Sequence, residues 1–293
     1  MNDTKKGVRY YSLLTTLQKE DVDSWKKEYK NWLLDKNVTY SEIQNRVKER
    51  CPKELIRFRR FSEFSKCEIE DETIYLQFLC NQNDPFEGNF FIDRERYCRE
   101  TPAIILASLL SGGRGVDEEQ WKLIVESCGD EFEKFKKKAR IACFTQNSND
   151  LLMWSHYADC HKGYCIHYDT TKIFQGIGEC KLLPIVYSRR MCNATENLLS
   201  GGNWNISLNP ILIKGKQWEY ENEWRLISYE PNKEENDFDT FNAKGMVTRI
   251  DIGCECEKRH VEEMIEWCRE KKIPVYRKKK AYNKFILEEE RLL

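Results

Sequence analysis

Long apolar runs are missing from this sequence. No stretch of about 18 uninterrupted apolar residues occurs, and the opening residues MNDTKKGVRYYS contain no apolar segment of the kind that a signal peptide has. An excess of one charge sign is missing too, because 48 Lys and Arg face 49 Asp and Glu. The net charge of −1 provides no overall attraction to nucleic acid or to an anionic membrane. We expect a cytoplasmic protein with no membrane partner.

The familiar nucleotide-binding motifs are also absent. The chain contains neither GxGxxG nor GxxxxGK followed by Ser or Thr, and GGRG at 112–115 lacks the flanking strand and helix of a phosphate loop. No serine or cysteine hydrolase elbow is present. Function therefore has to be argued from other residues.

Thirteen cysteines are present, but they indicate no disulfide framework. Their number is odd, no CxxC occurs, and their spacing from Cys51 to Cys268 is irregular. In a reducing compartment we expect small, buried, apolar side chains. One denser cluster comprises Cys160, His161, Cys165, His167 and the nearby His156. Zinc ligands usually come in closely spaced pairs, which this cluster lacks, so we predict no metal site.

The amino-terminal part of the chain carries helical patterns. Within residues 9–50, Ser24 is the expected cap of one helix, and Ser41 with Gln44 is the expected capping box of a second. We predict a helical extension over residues 1–50. It packs on the main body or, alternatively, serves as an arm that binds a partner.

From residue 51 the pattern changes to runs of strands and helices, in a chain whose 40% hydrophobic and 33% charged residues suit a globular domain. Asp117 with Gln120 forms a capping box before a helix. The strand candidates are ELIRFRRF, DETIYLQFL, RIACFT, GYCIHYD, LLPIVYS, KQWEYENEWRLISY, KGMVTRIDIG, PVYRKKK and NKFILEEE. Since strands and helices do not alternate regularly, we predict an α+β domain over 51–293, with a mixed, mainly antiparallel sheet core and flanking helices.

The stretch WEYENEWR at 218–225 is unusual in its alternation of aromatic and charged residues. If it is a strand, Trp218, Tyr220 and Trp224 share one face, and Glu221, Glu223 and Arg225 share the other. Burial of the aromatic face then leaves the charged face lining a pocket, which we expect to include Arg59 and Tyr157. The alternative is a solvated outer face whose glutamates are balanced by lysines.

Four motifs together resemble those of a bacterial family: LIRFRRF at 55–61, NDPFEG at 83–88, CFTQNSNDLLMWSHYADCHKGYCIHYD at 143–169 and KGKQWEYENEWRLI at 214–227. Their combination is similar to the family labelled domain of unknown function 2971, over residues from about 55 to 287. That label implies no established chemistry. The order of an early basic strand, a middle Ser or Tyr and a late Glu-x-Glu is also similar to that of distant ADP-ribosyltransferases.

The second resemblance implies an enzyme that uses NAD as its substrate, for ADP-ribosyl transfer to an unknown macromolecular acceptor or for NAD hydrolysis. Cleavage of the nicotinamide–ribose bond builds positive charge on the ribose, which a preorganised carboxylate stabilises. We assign Glu223 to this role and Glu221 to the general base, with the reverse assignment also open. A bacterial toxin or anti-phage defence effector is one setting for such a protein.

Candidates for substrate binding lie in three of the motifs. Arg59 or Arg225 can offer a pyrophosphate a planar donor fork, although Arg57, Arg59 and Arg60 alternatively balance the late glutamates. The other candidates are Trp154, Tyr157, Ser155, His156, His161 and Lys214. Trp154 alternatively belongs to a core helix, and Lys214 alternatively is a surface lysine.

A non-enzymatic module that binds a protein or nucleic acid is the alternative function. The basic stretches 134–140 and 277–280 fit a phosphate backbone weakly. This alternative is favoured if Arg59, Tyr157 and Glu223 share no pocket. A Mg²⁺-dependent nuclease is a weaker third hypothesis, because carboxylates followed by a lysine at nuclease spacing are not evident.

Overall fold

The computed structural model describes residues 25–35, 37–113, 115–199, 208–229 and 239–293. Contacts divide the chain into two units, residues 1–50 and 51–293. In the first unit, residues 25–34 form helix α1 and Tyr40–Lys48 form helix α2.

Helix α2 begins with a capping box of Thr39 and Glu42. The Glu42 N–H donates to the Thr39 hydroxyl at 3.2 Å, and the Thr39 N–H donates to the Glu42 carboxylate at 2.7 Å. The predicted box of Ser41 and Gln44 is wrong by two residues, because Ser41 already lies inside the helix while Thr39 keeps the extended backbone that a cap requires. The predicted cap Ser24 lies outside the described residues.

Two five-stranded sheets form the frame of the second unit. The first sheet has the order β1 (Glu54–Arg59), β5 (Tyr164–Asp169), β12 (Val247–Ile252), β13 (Val275–Lys280) and β14 (Leu287–Arg291). The second has the order β11 (Asp239–Asn242), β2 (Thr73–Phe78), β4 (Ala139–Phe144), β10 (Trp224–Tyr229) and β6 (Lys181–Pro184). All neighbours in these two sheets are antiparallel except β12 and β13.

Two short parallel pairs and a set of helices complete this unit. The pairs are β3 (Phe90–Phe91) with β8 (Cys192–Asn193), and β7 (Val186–Ser188) with β9 (Ile213–Gly215). The helices are α3 (Glu63–Glu70), α4 (Arg94–Glu100), α5 (Pro102–Leu110), α6 (Glu118–Lys138), α7 (Leu151–Tyr157), α8 (Thr170–Gln175), α9 (Thr195–Leu199), α10 (Asn209–Leu212) and α11 (Lys258–Lys271). The protein is therefore α+β, as the sequence predicts. The predicted capping box of Asp117 and Gln120 at the start of α6 is confirmed.

The two sheets meet at one backbone bridge. The N–H of Ile56 in β1 donates to the carbonyl of Thr145 at 2.9 Å, and the N–H of Thr145 donates back to Ile56 at 2.7 Å. Thr145 directly follows β4, so the end of the second sheet is fixed to the edge strand of the first. This junction is where the candidate site lies.

None of the helices in the described ranges combines the length and the apolar composition needed to cross a bilayer.

The opening half of WEYENEWR is not a strand, contrary to our expectation. Residues Lys216–Glu221 form a 3-10 helix, and β10 begins only at Trp224. Trp224 is fully buried as expected, but Trp218 and Tyr220 are only half-buried, because the strand alternation that would have turned them inward does not apply to a 3-10 helix.

Candidate functional site

A cleft of about 140 Å³ opens where the two sheets meet. Strand β1 contributes Arg57 and Arg59 to its wall, and β4 contributes Cys143. The remaining charged or phenolic side chains in the wall are Tyr157, Lys214, Glu221 and Glu223. Five separate segments of the chain thus supply these side chains, which line one cavity.

The backbone turn at Asn222 brings Glu221 and Glu223 to the same cavity. Asn222 has a left-handed backbone (φ 43°, ψ 50°), a conformation that asparagine tolerates better than most residues, and it ends the 3-10 helix. The backbone N–H of Glu223 then donates to the hydroxyl of Tyr187 at 2.8 Å. A turn, rather than strand alternation, therefore places the two carboxylates side by side.

Glu221 accepts hydrogen bonds on both carboxylate oxygens. Tyr157 donates its hydroxyl at 2.5 Å, and the Lys214 ammonium donates at 2.5 Å. Burial and the neighbouring Glu223 raise the pKa of the Glu221 carboxyl above its usual value, although Lys214 and Tyr157 act in the opposite direction. A carboxylate with a raised pKa accepts a proton more readily near neutral pH, which suits a general base.

Glu223 is held ionised by two cations. Its carboxylate accepts from Arg225 Nε at 2.6 Å and from Lys214 Nζ at 3.1 Å. Burial alone would raise its pKa, but Arg225 and Lys214 outweigh burial and lower the pKa to about 2. Glu223 therefore keeps its negative charge at neutral pH while it lines the cleft.

Arg225 lies behind Glu223 and is almost fully buried. Its guanidinium is shared between Glu223 and Glu87, with Nη2 at 2.9 Å from a Glu87 oxygen, and it also donates to the carbonyl of Ile211. Because its donors are taken up inside the protein, Arg225 cannot serve as the pyrophosphate fork that we expected. It fixes the position and the charge of Glu223 instead.

The cleft has an acidic and a basic end. At the acidic end, the Lys214 ammonium faces the two lining carboxylates of Glu221 and Glu223, which leaves one net negative charge, while Arg225 and Glu87 pair behind them. At the basic end, Arg57 and Arg59 face the single carboxylate of Glu68, which leaves one net positive charge. The cleft is therefore polarised along its length.

Arg57 is a cleft residue that we did not select from the sequence. Its Nη2 donates to the carbonyl of Tyr75 at 2.7 Å and lies 3.5 Å from Glu68, while its Nη1 is buried without a hydrogen-bond partner among the described residues. A buried guanidinium with an unused donor has a reason to bind an anion. The spacing of Arg57 and Arg59 was the available signal, because residues two apart on a strand share a face.

The arginines of β1 do not balance the late glutamates. Arg57 and Arg59 both pair with Glu68 of α3, Arg59 through two nitrogens. The interpretation that these arginines balance the glutamates of WEYENEWR is therefore wrong, because their partner Glu68 lies nine residues after Arg59. Lys214, for its part, is buried between Glu221 and Glu223 and is not a surface lysine.

The predicted site residues on and after α7 do not all lie in the cleft. Trp154 is fully buried, its indole N–H donates to the carbonyl of Ser148 at 2.7 Å, and it packs in the core against Phe58, so it offers no face to a ligand. Ser155 donates to the carbonyl of Leu151 at 2.8 Å and lies 3.1 Å from the His161 ring. Neither Ser155 nor His161 lines the cleft.

His161 instead borders a second cavity, beside the loop between β13 and β14. His156 is exposed and lies 3.0 Å from the Tyr220 hydroxyl. Together with Arg59 and Tyr157, it lines a groove that continues from the cleft. Of the α7 segment, Tyr157 therefore enters the cleft and His156 borders its extension.

Part of the Cys/His cluster is buried in the first sheet. Ligand atoms of Cys165, His167 and Asp251 lie within 4.8 Å of one another. The Asp251 carboxylate, however, is already paired with Lys278 at 2.9 Å and with Arg249. These two fixed positive charges oppose a metal cation at the same oxygens, so the group is best described as a buried ion-pair network.

Residues 153–226 match the model of a family described as protein of unknown function (DUF2971). The match covers 74 of the 293 residues, and this segment is similar to that family. The matched segment includes Tyr157, Lys214, Glu221, Glu223 and Arg225, and it excludes the arginines of β1. No curated protein and no solved structure matches the chain.

Acid should destabilise the protein through its buried carboxylates. The pKa of Glu223, Glu68 and Asp251 is lowered in the folded state, so each contributes stability above its unfolded pKa and loses it as the pH falls through the folded value. Glu221 acts oppositely, because its pKa is raised. We expect the free energy of unfolding to fall below about pH 4.5, the region where unfolded carboxyls begin to protonate.

Chemical denaturation at pH 6 and at pH 3 measures this pH dependence. The Asp251→Asn variant lacks one of the carboxyls whose pKa is lowered, so its free energy of unfolding should differ less between the two pH values. A wild-type stability that is equal or higher at pH 3 would contradict the assignment of these ion pairs.

Proposed function

We propose that the chain cleaves NAD at its nicotinamide–ribose bond and transfers the ADP-ribosyl group to a macromolecular acceptor or to water. One observation carries the proposal: the cleft has an ionised carboxylate, Glu223, at its acidic end and the arginines 57 and 59 at its basic end. NAD has a matching polarity, since its pyrophosphate is anionic and its nicotinamide ring is cationic. An ADP-ribosyltransferase-like or NAD glycohydrolase activity fits this charge pattern.

The proposed reaction assigns one role to each carboxylate. As the bond between the ribose carbon and the nicotinamide nitrogen breaks, the nicotinamide leaves as a neutral molecule with the electron pair. Positive charge develops on the ribose, and the ionised Glu223 stabilises it. An acceptor hydroxyl or water then forms the new bond and gives its proton to Glu221, whose raised pKa favours this role.

The space beside the cleft extends the proposed binding site. Arg59, Gln77 and Tyr157 line both the cleft and the adjoining groove, which is about 540 Å³ in volume. A dinucleotide is an extended ligand, and this continuous space offers room for it along the line from Glu223 past Arg59. Tyr157 supplies an aromatic ring at the point where the two spaces join.

The activity test is direct. Purified protein is incubated with NAD at pH 7, with and without bacterial lysate as a source of acceptors, and free nicotinamide is quantified by chromatography. We expect nicotinamide release by the wild type. An absence of release under both conditions, together with no NAD binding by calorimetry, would reject the proposal.

Arg57 should contribute to NAD affinity rather than to the chemical step. Arg57→Lys keeps the positive charge but removes the planar fork, so we expect KM for NAD to rise about 10-fold with little change in kcat. Initial-rate measurements over a range of NAD concentrations test this expectation. An unchanged KM, or a loss confined to kcat, would contradict a role in anion binding.

The non-enzymatic binding module remains the alternative hypothesis. Scattered site residues would favour this alternative. Arg59, Tyr157 and Glu223 instead line one cavity, which supports the enzyme proposal. A setting in bacterial toxicity or anti-phage defence is part of the proposal for the enzyme. Expression of the wild type and of Glu223→Gln in bacteria, with cellular NAD as the readout, tests that setting.

A further inference from the structure

Helix α5 exposes an apolar surface and contributes no residue to the lining of the cleft. Its sequence, PAIILASLL, contains no charged residue. The exposed fractions are 42% for Ile105, 58% for Leu106, 73% for Leu109 and 81% for Leu110. Thr101, Ile104 and Ser108, at helical spacing, form the half-buried stripe that faces the body of the protein. The opposite side of the helix is therefore apolar and uncovered by the described residues.

This degree of exposure needs a physical explanation. A helix that is apolar all round is normally buried, since its surface gains nothing from contact with water. The four exposed side chains present on the order of 500 Å² of apolar surface, near the upper end of the largest patches found on monomers. Isolated exposed leucines are common, but four on one short helix mark an interaction surface.

The chemistry of the helix limits what can cover this surface. A peripheral membrane helix carries Lys or Arg on its polar side, and α5 has neither. At nine residues it is also far too short to span a bilayer. A charged partner would gain no ion pair from α5 and would lose hydration. The fitting occupant is another apolar surface of similar size.

We propose that the chain forms a homodimer in which α5 of one copy packs against α5 of a second copy. A twofold interface uses the same patch on both subunits, and a surface without charge of either sign meets its own copy without repulsion. The exposed apolar area of α5 accounts for most of the roughly 800 Å² per partner that a standard interface buries.

The oligomeric state of the full chain tests this proposal. Light scattering coupled to size-exclusion chromatography gives the mass. Sedimentation at concentrations from about 0.1 to about 100 μM, a range that covers typical dissociation constants of protein complexes, gives the dimerisation constant. We expect twice the chain mass of 35.1 kDa for the wild type. Leu109→Glu combined with Leu110→Glu should weaken dimerisation at least about 100-fold, because two charges would be buried in each half of the interface.

A matched control replaces an exposed apolar residue elsewhere. Phe285 is 97% exposed in the loop between β13 and β14, so Phe285→Glu should leave the dimer unchanged. Because Leu109 and Leu110 are mostly exposed, thermal melting should show that the double variant remains folded. A monomeric wild type, or a double variant that dimerises like the wild type, would overturn the proposal. Binding of a monomeric wild type to lipid vesicles would assign the surface to a membrane and would overturn it too.

Discussion

Replacing Glu223 by glutamine should reduce nicotinamide release from NAD on the order of 10³-fold. Glutamine has nearly the same shape, but it lacks the negative charge that opposes the positive charge developing on the ribose. The loss should appear in kcat more than in KM, because the charge is fully developed only in the transition state. Initial rates of the wild type and the variant at pH 7 measure the effect.

The same substitution should also reduce stability, which makes a control necessary. The pKa of Glu223 is lowered to about 2, which corresponds to about 3 kcal/mol of stabilisation by its ionised form in the folded state at neutral pH. Strand alternation alone would place Glu223 on a cleft wall with no structural role. The ion pairs with Arg225 and Lys214 give it both roles.

Glu87→Gln is the matched control for Glu223→Gln. Glu87 is buried and pairs with the same Arg225, but it does not line the cleft. Both variants should therefore lose stability, whereas only Glu223→Gln should lose activity at a temperature where both are folded. An equal loss of activity in the two variants would mean that Glu223 acts only through the fold.

Replacing Arg225 by methionine should cause the largest loss of stability, about 3–5 kcal/mol. Arg225 is buried, with 1% of its surface exposed, and it bridges Glu87 and Glu223. Methionine fills similar space but leaves two buried carboxylates without their shared cation. Urea denaturation followed by circular dichroism measures the free energy of unfolding.

Arg96→Met serves as the comparison for Arg225→Met. Arg96 also contacts two carboxylates, Glu100 and Glu196, but in a solvent-accessible position where water replaces the lost contacts. We expect this variant to unfold almost like the wild type. If the two variants lose the same amount of stability, the ion pairs around Arg225 contribute no more than surface pairs.

Most strands could be predicted from the sequence, because side-chain alternation and turn residues are visible in a short segment of the chain. Strands β1, β2, β4, β5 and β12 appear within the predicted segments, and the capping box of α6 follows from residues three apart. The 3-10 helix at Lys216–Glu221 was not predictable by alternation, because its pattern also fits a strand. The left-handed backbone of Asn222, which ends it, depends on the surrounding fold.

The sequence also could not predict ion pairs between residues that are distant along the chain. The sequence pointed to Glu221, Glu223, Tyr157 and Arg59, which line one cleft. It did not show that Glu68 pairs with both arginines of β1, or that Glu87 joins Arg225 across 138 residues. Charge balance in a buried site depends on such tertiary contacts, and for this reason the role of Arg225 was misassigned.

A crystal structure of Glu223→Gln soaked with NAD tests the central claim most directly, since the variant should bind NAD without cleaving it. We predict that the nicotinamide–ribose bond lies beside residue 223 and that the pyrophosphate lies at Arg57 and Arg59. NAD bound outside the cleft, or bound in the reverse direction with its pyrophosphate at Glu221, would contradict the account.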